Sequence, residues 1–333
     1  MKRVTLKDVA KELGVAFSTV SMALSDDKTI SQKMKEKVKK KIQEMGYHPN
    51  RSARNLVNGK TNNIAVVTPG LFSLYEMHIV RGMELQMVKS KYDLILYTAK
   101  YDWGEVHKEL RKILYEQTAD AVIVIGVMLE NEIVEEFKKA KIPLVLVDSG
   151  TTKKAFTLNV DNYECGRIAA RYFIKKGSKK PAIMLGNTKF AFSQSERLRG
   201  FKAALKEKGM KFKNEMAYEK PDYLPEDLRK VGFAAAEVLV KNGTDAIYCA
   251  SGDYVAQGIY RYCAVNNITM PETLMLVGTD NFDVADALNL STIEQPLVGM
   301  GMKAFELAEQ AAADEGFESE TLFFKPKLII RKT

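Results

Sequence analysis

Gly299-Met300-Gly301-Met302-Lys303-Ala304 has the spacing G-x-G-x-x-A, with which a backbone turn cradles a dinucleotide pyrophosphate. That chemistry needs a strand leading into the first glycine, and Pro296 stands just upstream instead. The three histidines, His48, His78 and His107, have no matching Ser or Cys nucleophile motif. The chain contains neither H-E-x-x-H nor a paired C-x-x-C. Cys165, Cys249 and Cys263 are odd in number and far apart, so they read as buried thiols in a reducing cytoplasm. No catalytic residue, metal ligand or cofactor is expected, and an enzyme is not the reading.

Charge points elsewhere. Residues 1–60 hold 14 Lys and Arg against 6 Asp and Glu, which accounts for the whole net charge of +8; the rest of the chain carries 36 of each sign. A basic head on a neutral body suits a polyanion-binding protein. A lysine-rich solvated helix would account for the run from Lys33 to Lys41 and for nothing more. The 333 residues suffice for two or three domains. No apolar run is long enough to span a membrane and no signal-peptide core follows Met1, so the protein is expected in the cytoplasm.

The elements that position the head can be read from spacing. Residues 5–13 form a helix with Thr5 and Asp8 as a capping box and Leu6, Val9, Ala10 and Leu13 on one face. Gly14 breaks it, and a second short helix covers roughly 17–24. A third opens at Ser31, repeats Met34, Val38 and Ile42, and stops at Gly46. A helix, a tight glycine turn and a short second helix is the helix-turn-helix pattern, whose second helix enters the major groove.

The residues Thr5-Leu6-Lys7-Asp8-Val9-Ala10, Gly14-Val15, Thr19-Val20-Ser21 and 46–56, GYHPNRSARNL, resemble the start of a lactose/galactose-repressor-family regulator. The resemblance implies DNA contacts from Thr5, Leu6, Phe17, Ser18, Thr19, Ser21 and Met22, and a hinge helix over 50–58 with Asn50 as N-cap. It adds Ala53 and Leu56 as minor-groove contacts, Leu56 being the apolar wedge that unstacks the central base step. Two positions depart from the family. Ala16 stands where a Ser usually caps the recognition helix, and Met22 stands where an Arg usually grips guanine, so family-typical operators are not expected.

Beyond 61–63, apolar runs alternate with amphipathic helices: strands near 64–68, 94–97, 121–125 and 144–148, then near 182–185, 245–250 and 274–278. Such alternation implies parallel sheets covered on both faces, here in two similar α/β lobes. Ligands of these sheets bind beyond the strands' carboxyl ends. The layout resembles the family's periplasmic-binding-protein-like core. The markers are Val160-Asp161-Asn162, Arg197-Leu198-Arg199-Gly200-Phe201, Gly278-Thr279-Asp280 and Ser291-Thr292-Ile293-Glu294-Gln295-Pro296.

The fold class is therefore a small all-α helix-turn-helix head plus an α/β core of two doubly wound parallel-sheet lobes. Expected boundaries are 1–49 for the head, 50–60 for the hinge and linker, and 61–333 for the core. Within the core, the N-lobe takes about 62–161 and 293–320, and the C-lobe about 162–292 and 321–333. Chain crossovers are expected near Asp161, near Thr292 and before a final strand over 322–330. The resemblance carries effector contacts to Asp148, Arg197, Asp253, Asp280 and Gln295. Phe72 and Tyr223, with Tyr75, Tyr101, Trp103 and Phe192, could cover apolar sugar faces. Where the family has an Asn-Asp pair, this chain has Gly252-Asp253, and Thr279 replaces the usual aromatic.

The expected function is a sequence-specific transcriptional regulator, a repressor, that binds a pseudo-palindromic double-stranded operator as a homodimer. A small molecule, a sugar or sugar derivative, would bind between the lobes and control operator affinity, as inducer or as corepressor. The chain ends directly after a strand, without the heptad tail that makes some relatives tetramers. The rival is a cytoplasmic solute-binding protein of the same core fold with an incidental basic N-terminus. The hinge-like segment, useless to a solute carrier, argues against it.

Overall fold

The computed structural model describes residues 4–25, 27–47, 60–70, 74–99, 103–188, 191–220, 227–314, 316 and 318–333. Asn50, Ala53, Leu56, Phe72, Tyr101 and Tyr223 lie outside the described residues, as does the Trp103 side chain. The chain divides into two units, Met1–Thr61 and Asn62–Thr333.

In the first unit, α1 (Leu6–Leu13) starts on the capping box. The Asp8 N–H donates to Thr5 Oγ1 (3.3 Å) and the Thr5 N–H donates to Asp8 Oδ2 (2.8 Å). Gly14 ends it at φ +65°, a conformation that a side chain would strain. Helix α2 (Phe17–Leu24) has Ala16 at its N-cap and no side-chain cap bond. Helix α3 (Gln32–Met45) opens on Ser31, whose hydroxyl accepts from the Met34 N–H, and closes at Gly46. Val9, Ala10, Val20, Ala23 and Val38 are buried between the three helices. Each valine contributes roughly 1.5–3 kcal/mol by leaving water.

The second unit holds two six-stranded sheets. The first comprises β1 (Asn63–Thr68), β2 (Asp93–Thr98), β3 (Ala121–Ile125), β4 (Leu144–Val147), β5 (Phe156–Val160) and β11 (Thr321–Phe324). Its order is β2-β1-β3-β4-β5-β11, all parallel. The second comprises β6 (Pro181–Leu185), β7 (Ala217–Glu219), β8 (Ala246–Cys249), β9 (Met275–Asp280), β10 (Ser291–Glu294) and β12 (Lys327–Ile329). Its order is β7-β6-β8-β9-β10-β12, parallel except for β12 against β10. β4 and β9 therefore occupy the same place in two copies of one strand order. β3, β4, β6 and β8 are buried along their whole length, as strands covered on both faces must be.

Helices α4 (Leu74–Met87), α5 (Trp103–Glu116) and α6 (Asn131–Lys139) follow the strands of the first lobe. Helices α7 (Asn162–Lys175), α8 (Phe192–Glu207), α9 (Leu228–Lys241), α10 (Asp253–Val265) and α11 (Asp283–Ala287) belong to the second, and α12 (Leu297–Ala313) returns to pack on α4. The fingerprint-like glycines lie inside α12. The α7–α8 crossing matters for the site. A Cβ at Gly166 would lie 2.0 Å from the Arg197 carbonyl oxygen, and one at Gly200 would lie 1.8 Å from that of Tyr163. Only glycines let the backbones approach this closely, and the approach sets the start of α7 against the Arg197 turn of α8.

The final strand differs from the sequence expectation. Residues 322–330 are not one C-lobe strand: Thr321–Phe324 pairs with β5 in the first sheet, and Lys327–Ile329 pairs with β10 in the second. Pro326 has no N–H to offer a ladder, so the chain changes lobes at 325–326. Likewise β10 remains in the second sheet through Glu294, and the crossover falls at Gln295-Pro296, slightly later than expected. The lobes thus comprise about 62–161 with 295–324, and 162–294 with 325–333.

Candidate DNA-reading helix and effector cleft

On α2, Val20 and Ala23 face the head's core, while Phe17, Ser18 and Ser21 are exposed and Thr19 is half-buried. Met22 is half-buried but is not among the side chains that pack on that core. An exposed face of Phe17, Ser18, Ser21 and Met22 therefore runs along a helix whose N-terminus has no side-chain cap. Such an end presents backbone N–H groups to an anion. Thr5 is exposed, its hydroxyl engaged in the capping box, and Leu6 packs against the core.

In the second unit, the carboxyl ends of β4, β5, β8, β9 and β10 converge on Arg197, a nearly inaccessible residue of α8. Its Nε donates to Asn162 Oδ1 (2.8 Å), Nη1 to the Ala250 carbonyl (2.6 Å) and Nη2 to Gln295 Oε1 (3.1 Å). Asn162 Nδ2 in turn donates to Asp148 Oδ1 (3.0 Å), and Gln295 Nε2 donates to Asp280 Oδ1. One relay thus joins Asp148, Asn162, Arg197, Gln295 and Asp280. Its two ends are equivalent: Asp148 follows β4, and Asp280 closes β9. Both adopt positive φ, +53° and +102°. Backbone strain of this kind at two matched strand ends makes them candidates for a functional site.

The electrostatics follow from burial. Desolvation raises Asp148 above the usual carboxylate range although Arg197 pulls the other way, and it pushes Asp280 up to about 6. The Tyr75 hydroxyl is buried beside Asp148 without a well-formed hydrogen bond, and burial raises its pKa as well. A buried polar atom left in this state is unfavourable, and a ligand or water would satisfy it. Across the lobes, the His78 ring lies 4.9 Å from that of Phe282, and Phe192 touches the Gly150 backbone position.

Asp253 is placed differently from the other carboxylates. It is fully buried, its Oδ1 accepts from Thr292 Oγ1 (2.7 Å) and its Oδ2 from the Phe282 N–H (2.9 Å). Burial and the negative charge of Asp280 push it up to about 8. Both oxygens serve the protein, holding the turn after β9 that carries Asp280. Thr279 is also buried, its hydroxyl donating to the Cys249 carbonyl. Asn162 and His78 were not singled out from sequence as contacts, although Asn162 sits inside the quoted motif Val160-Asp161-Asn162. Its importance comes from the crossover that lies beside it.

Comparison with known proteins extends this picture. Residues 5–50 match the family described as bacterial regulatory proteins, lacI family, and residues 170–333 match a periplasmic binding protein-like domain. The HTH-type transcriptional repressor PurR of Vibrio vulnificus is 28% identical over 99% of this chain and 98% of its own length. The structure of the lac repressor dimer bound to operator and the anti-inducer ONPF superposes with a TM-score of 0.85 at 20% identity, over 100% of this chain and 99% of that one. That of a transcriptional regulator CelR–cellobiose complex gives 0.73 at 24%, over 99% of each chain. With a lacI-type head, a two-lobed core and relatives of matching length from end to end, the chain belongs to the lacI family of bacterial regulatory proteins and is a DNA-binding transcriptional regulator.

Proposed function

We propose that the protein is a cytoplasmic repressor that binds a pseudo-palindromic operator as a homodimer and releases or grips it when a carbohydrate enters the cleft. It acts by binding, with no chemical step. The observation that carries this reading is the Arg197 relay, which brings two strained aspartates and two amides to the strand ends where the lobes meet. Groups of this kind exchange hydrogen bonds with hydroxyls, and each hydroxyl taken from water must find such a partner. The cellobiose in one structural neighbour and the ONPF in another support a sugar as the occupant.

The effector contacts we assign are Asp148, Arg197, Asp280 and Gln295, with Phe72, Tyr75 and Tyr223 from the sequence and Asn162 added. Asp253 acts behind them, as the support of the β9 turn. In the head, Phe17, Ser18, Ser21 and Met22 read bases, Thr5, Leu6 and Thr19 position the helix, and Asn50, Ala53 and Leu56 belong to the hinge. Exposed Met77 and Leu85 on α4, Val88 just after it, and Met302 on α12, which packs on α4, supply apolar surface suited to a second copy.

Fluorescence anisotropy on an operator obtained by binding-site selection, titrated with sugars, tests this. The expected result is selection of a two-fold symmetric site and a sugar that changes its affinity by about tenfold or more, the scale of ordinary allosteric coupling. Binding indifferent to DNA sequence would favour the solute-carrier reading.

A further inference from the structure

Each carboxylate of the relay is held by a neutral amide instead of a cation. Asp148 accepts from Asn162 and Asp280 from Gln295, while the Arg197 donors go to Asn162, Gln295 and the Ala250 carbonyl. Among the described residues, no ion pair of Arg197, Asp148 or Asp280 is formed. His78 is a further basic group whose charge acts on Asp280.

Asp280 Oδ2 is approached by backbone on one side. Gly252 lies at φ +102°, and a Cβ there would come within 3.0 Å of Asp280 Oδ2, so no side chain from this position covers that oxygen. Two residues on, the Phe282 ring packs between His78 (4.9 Å) and Tyr254 (6.5 Å). Two carboxylates, one guanidinium already engaged and nearby aromatic faces form a setting that attracts a cation and repels an anion. The Tyr75 hydroxyl beside Asp148 forms no well-aligned hydrogen bond there, which leaves a buried donor for an occupant.

We infer that the cleft selects a polyhydroxylated ligand bearing a protonated amine, an amino sugar in the simplest case, over its neutral, N-acetylated or phosphorylated counterpart. The inference rests on the carbohydrate reading for the polyol part and, for the charge, on two carboxylates set against a single guanidinium whose donors are bound elsewhere. A charge-assisted hydrogen bond is about twice as strong as a neutral one. A preference of about tenfold or more for the amine over the matched neutral compound is therefore expected.

Two probes of nearly equal shape separate charge from sugar stereochemistry. Tris is a polyhydroxylated ammonium, and pentaerythritol is its neutral counterpart. Thermal unfolding of the full chain is followed in a phosphate-free, non-amine buffer at constant ionic strength, with each probe and with glucose, glucosamine, N-acetylglucosamine and glucose 6-phosphate. Tris should raise the unfolding midpoint more than pentaerythritol, and glucosamine more than the other three, by mass action on the native state. Asp148→Asn and Asp280→Asn, each checked for folding by its ligand-free midpoint, should each reduce that preference. Equal shifts for the two probes, or a larger shift with a neutral or phosphorylated sugar, overturn the inference and leave the carbohydrate reading standing. Amines that bind where no sugar does overturn the carbohydrate reading and leave the charge inference standing. A panel with no shift at all overturns both.

Discussion

Two alanine substitutions on one helix should act in opposite directions. Gly299 and Gly301 both lie within α12, two residues apart. A Cβ at Gly299 would meet nothing within 4 Å, whereas one at Gly301 would lie 1.9 Å from the Ile79 carbonyl oxygen and 3.1 Å from the Gly82 Cα. Carbon does not approach a backbone oxygen closer than about 3 Å, so α4 and α12 would have to separate by roughly 1 Å. Both sites gain about 1 kcal/mol of helix propensity on going from Gly to Ala. At Gly299 nothing opposes the gain, and stability should rise by roughly 0.5–1 kcal/mol. At Gly301 the obstacle is backbone, which no rotamer change relieves, and overpacking costs typically about 1–3 kcal/mol or more. Gly301→Ala should therefore lower stability by roughly 1–2 kcal/mol or more, a fall of several degrees in unfolding midpoint for a unit of this size. Urea denaturation of the two variants beside the parent measures the difference. Shifts of the same sign would refute the claim that these glycines differ in packing and revive a common role for the G-x-G-x-x-A spacing.

The other predictions concern the cleft and the head. Burial and the nearby Asp280 charge push Asp253 up to about 8 in the folded protein against an ordinary 3.8, so between these values the native state holds a proton that the unfolded chain has lost. Stability should then fall as pH rises from about 4 to about 8, by at most about 1.4 kcal/mol per pH unit from this group. Asp253→Asn should flatten that slope in denaturant titrations, and parallel curves for the two proteins would contradict the burial argument. Arg197→Ala should abolish the effector response and destabilise the second unit, because it leaves the Ala250 carbonyl and two amides without their donor, at about 1–3 kcal/mol for each group left buried and unpaired. Retained effector response in titrations on DNA would remove Arg197 from the site. Met22→Arg should move the operator preference toward G·C at one position by about 1–3 kcal/mol, and identical selected sites for both proteins would show that Met22 does not read DNA. Leu56→Ala should weaken operator binding by about 1–3 kcal/mol more than binding to random duplex, and equal losses would assign Leu56 a structural role.

The head was legible because local rules decide it. Thr5 with Asp8, Gly14, Ser31 and Gly46 mark helix ends through contacts within four residues of themselves, and the structure places those ends where the spacing does. The central strands were legible for a different reason, since a run such as that of β3 can only be covered on both faces. What was missed depends on long-range pairing. β5 carries Thr157 and Asn159, which look like loop residues, yet both are buried: Thr157 Oγ1 donates to Thr321 Oγ1 and Asn159 Nδ2 to the Gly150 carbonyl. β11 and β12 read as one strand because nothing before Pro326 says that they belong to different sheets. In the site, strand-end aspartates could be read as a group but not sorted. Asp253 differs from Asp280 only through Thr292 and the Phe282 N–H, partners 39 and 29 residues away.

Under the proposed function, the relay also gives a ligand at this site a direct means of acting on the lobe arrangement. Two of the three crossovers between lobes lie beside its amides: Asn162 begins α7 just after the chain leaves β5, and Gln295 stands between β10 and α12. Arg197 donates to both, so one buried guanidinium holds two hinge segments. A ligand that bonds Asp148 or Asp280 competes with these amides for the same carboxylate oxygens, and any bond it displaces is a bond at a hinge. A net hydrogen bond is worth about 0.5–1.5 kcal/mol, and more where a charge takes part. Rearranging two of the relay's four links thus supplies about 1–3 kcal/mol, the coupling with which an effector changes affinity at a distant site by about 5- to 150-fold. No separate transmitting pathway through the lobes is needed for the first step, because the binding groups and the hinge groups are neighbours.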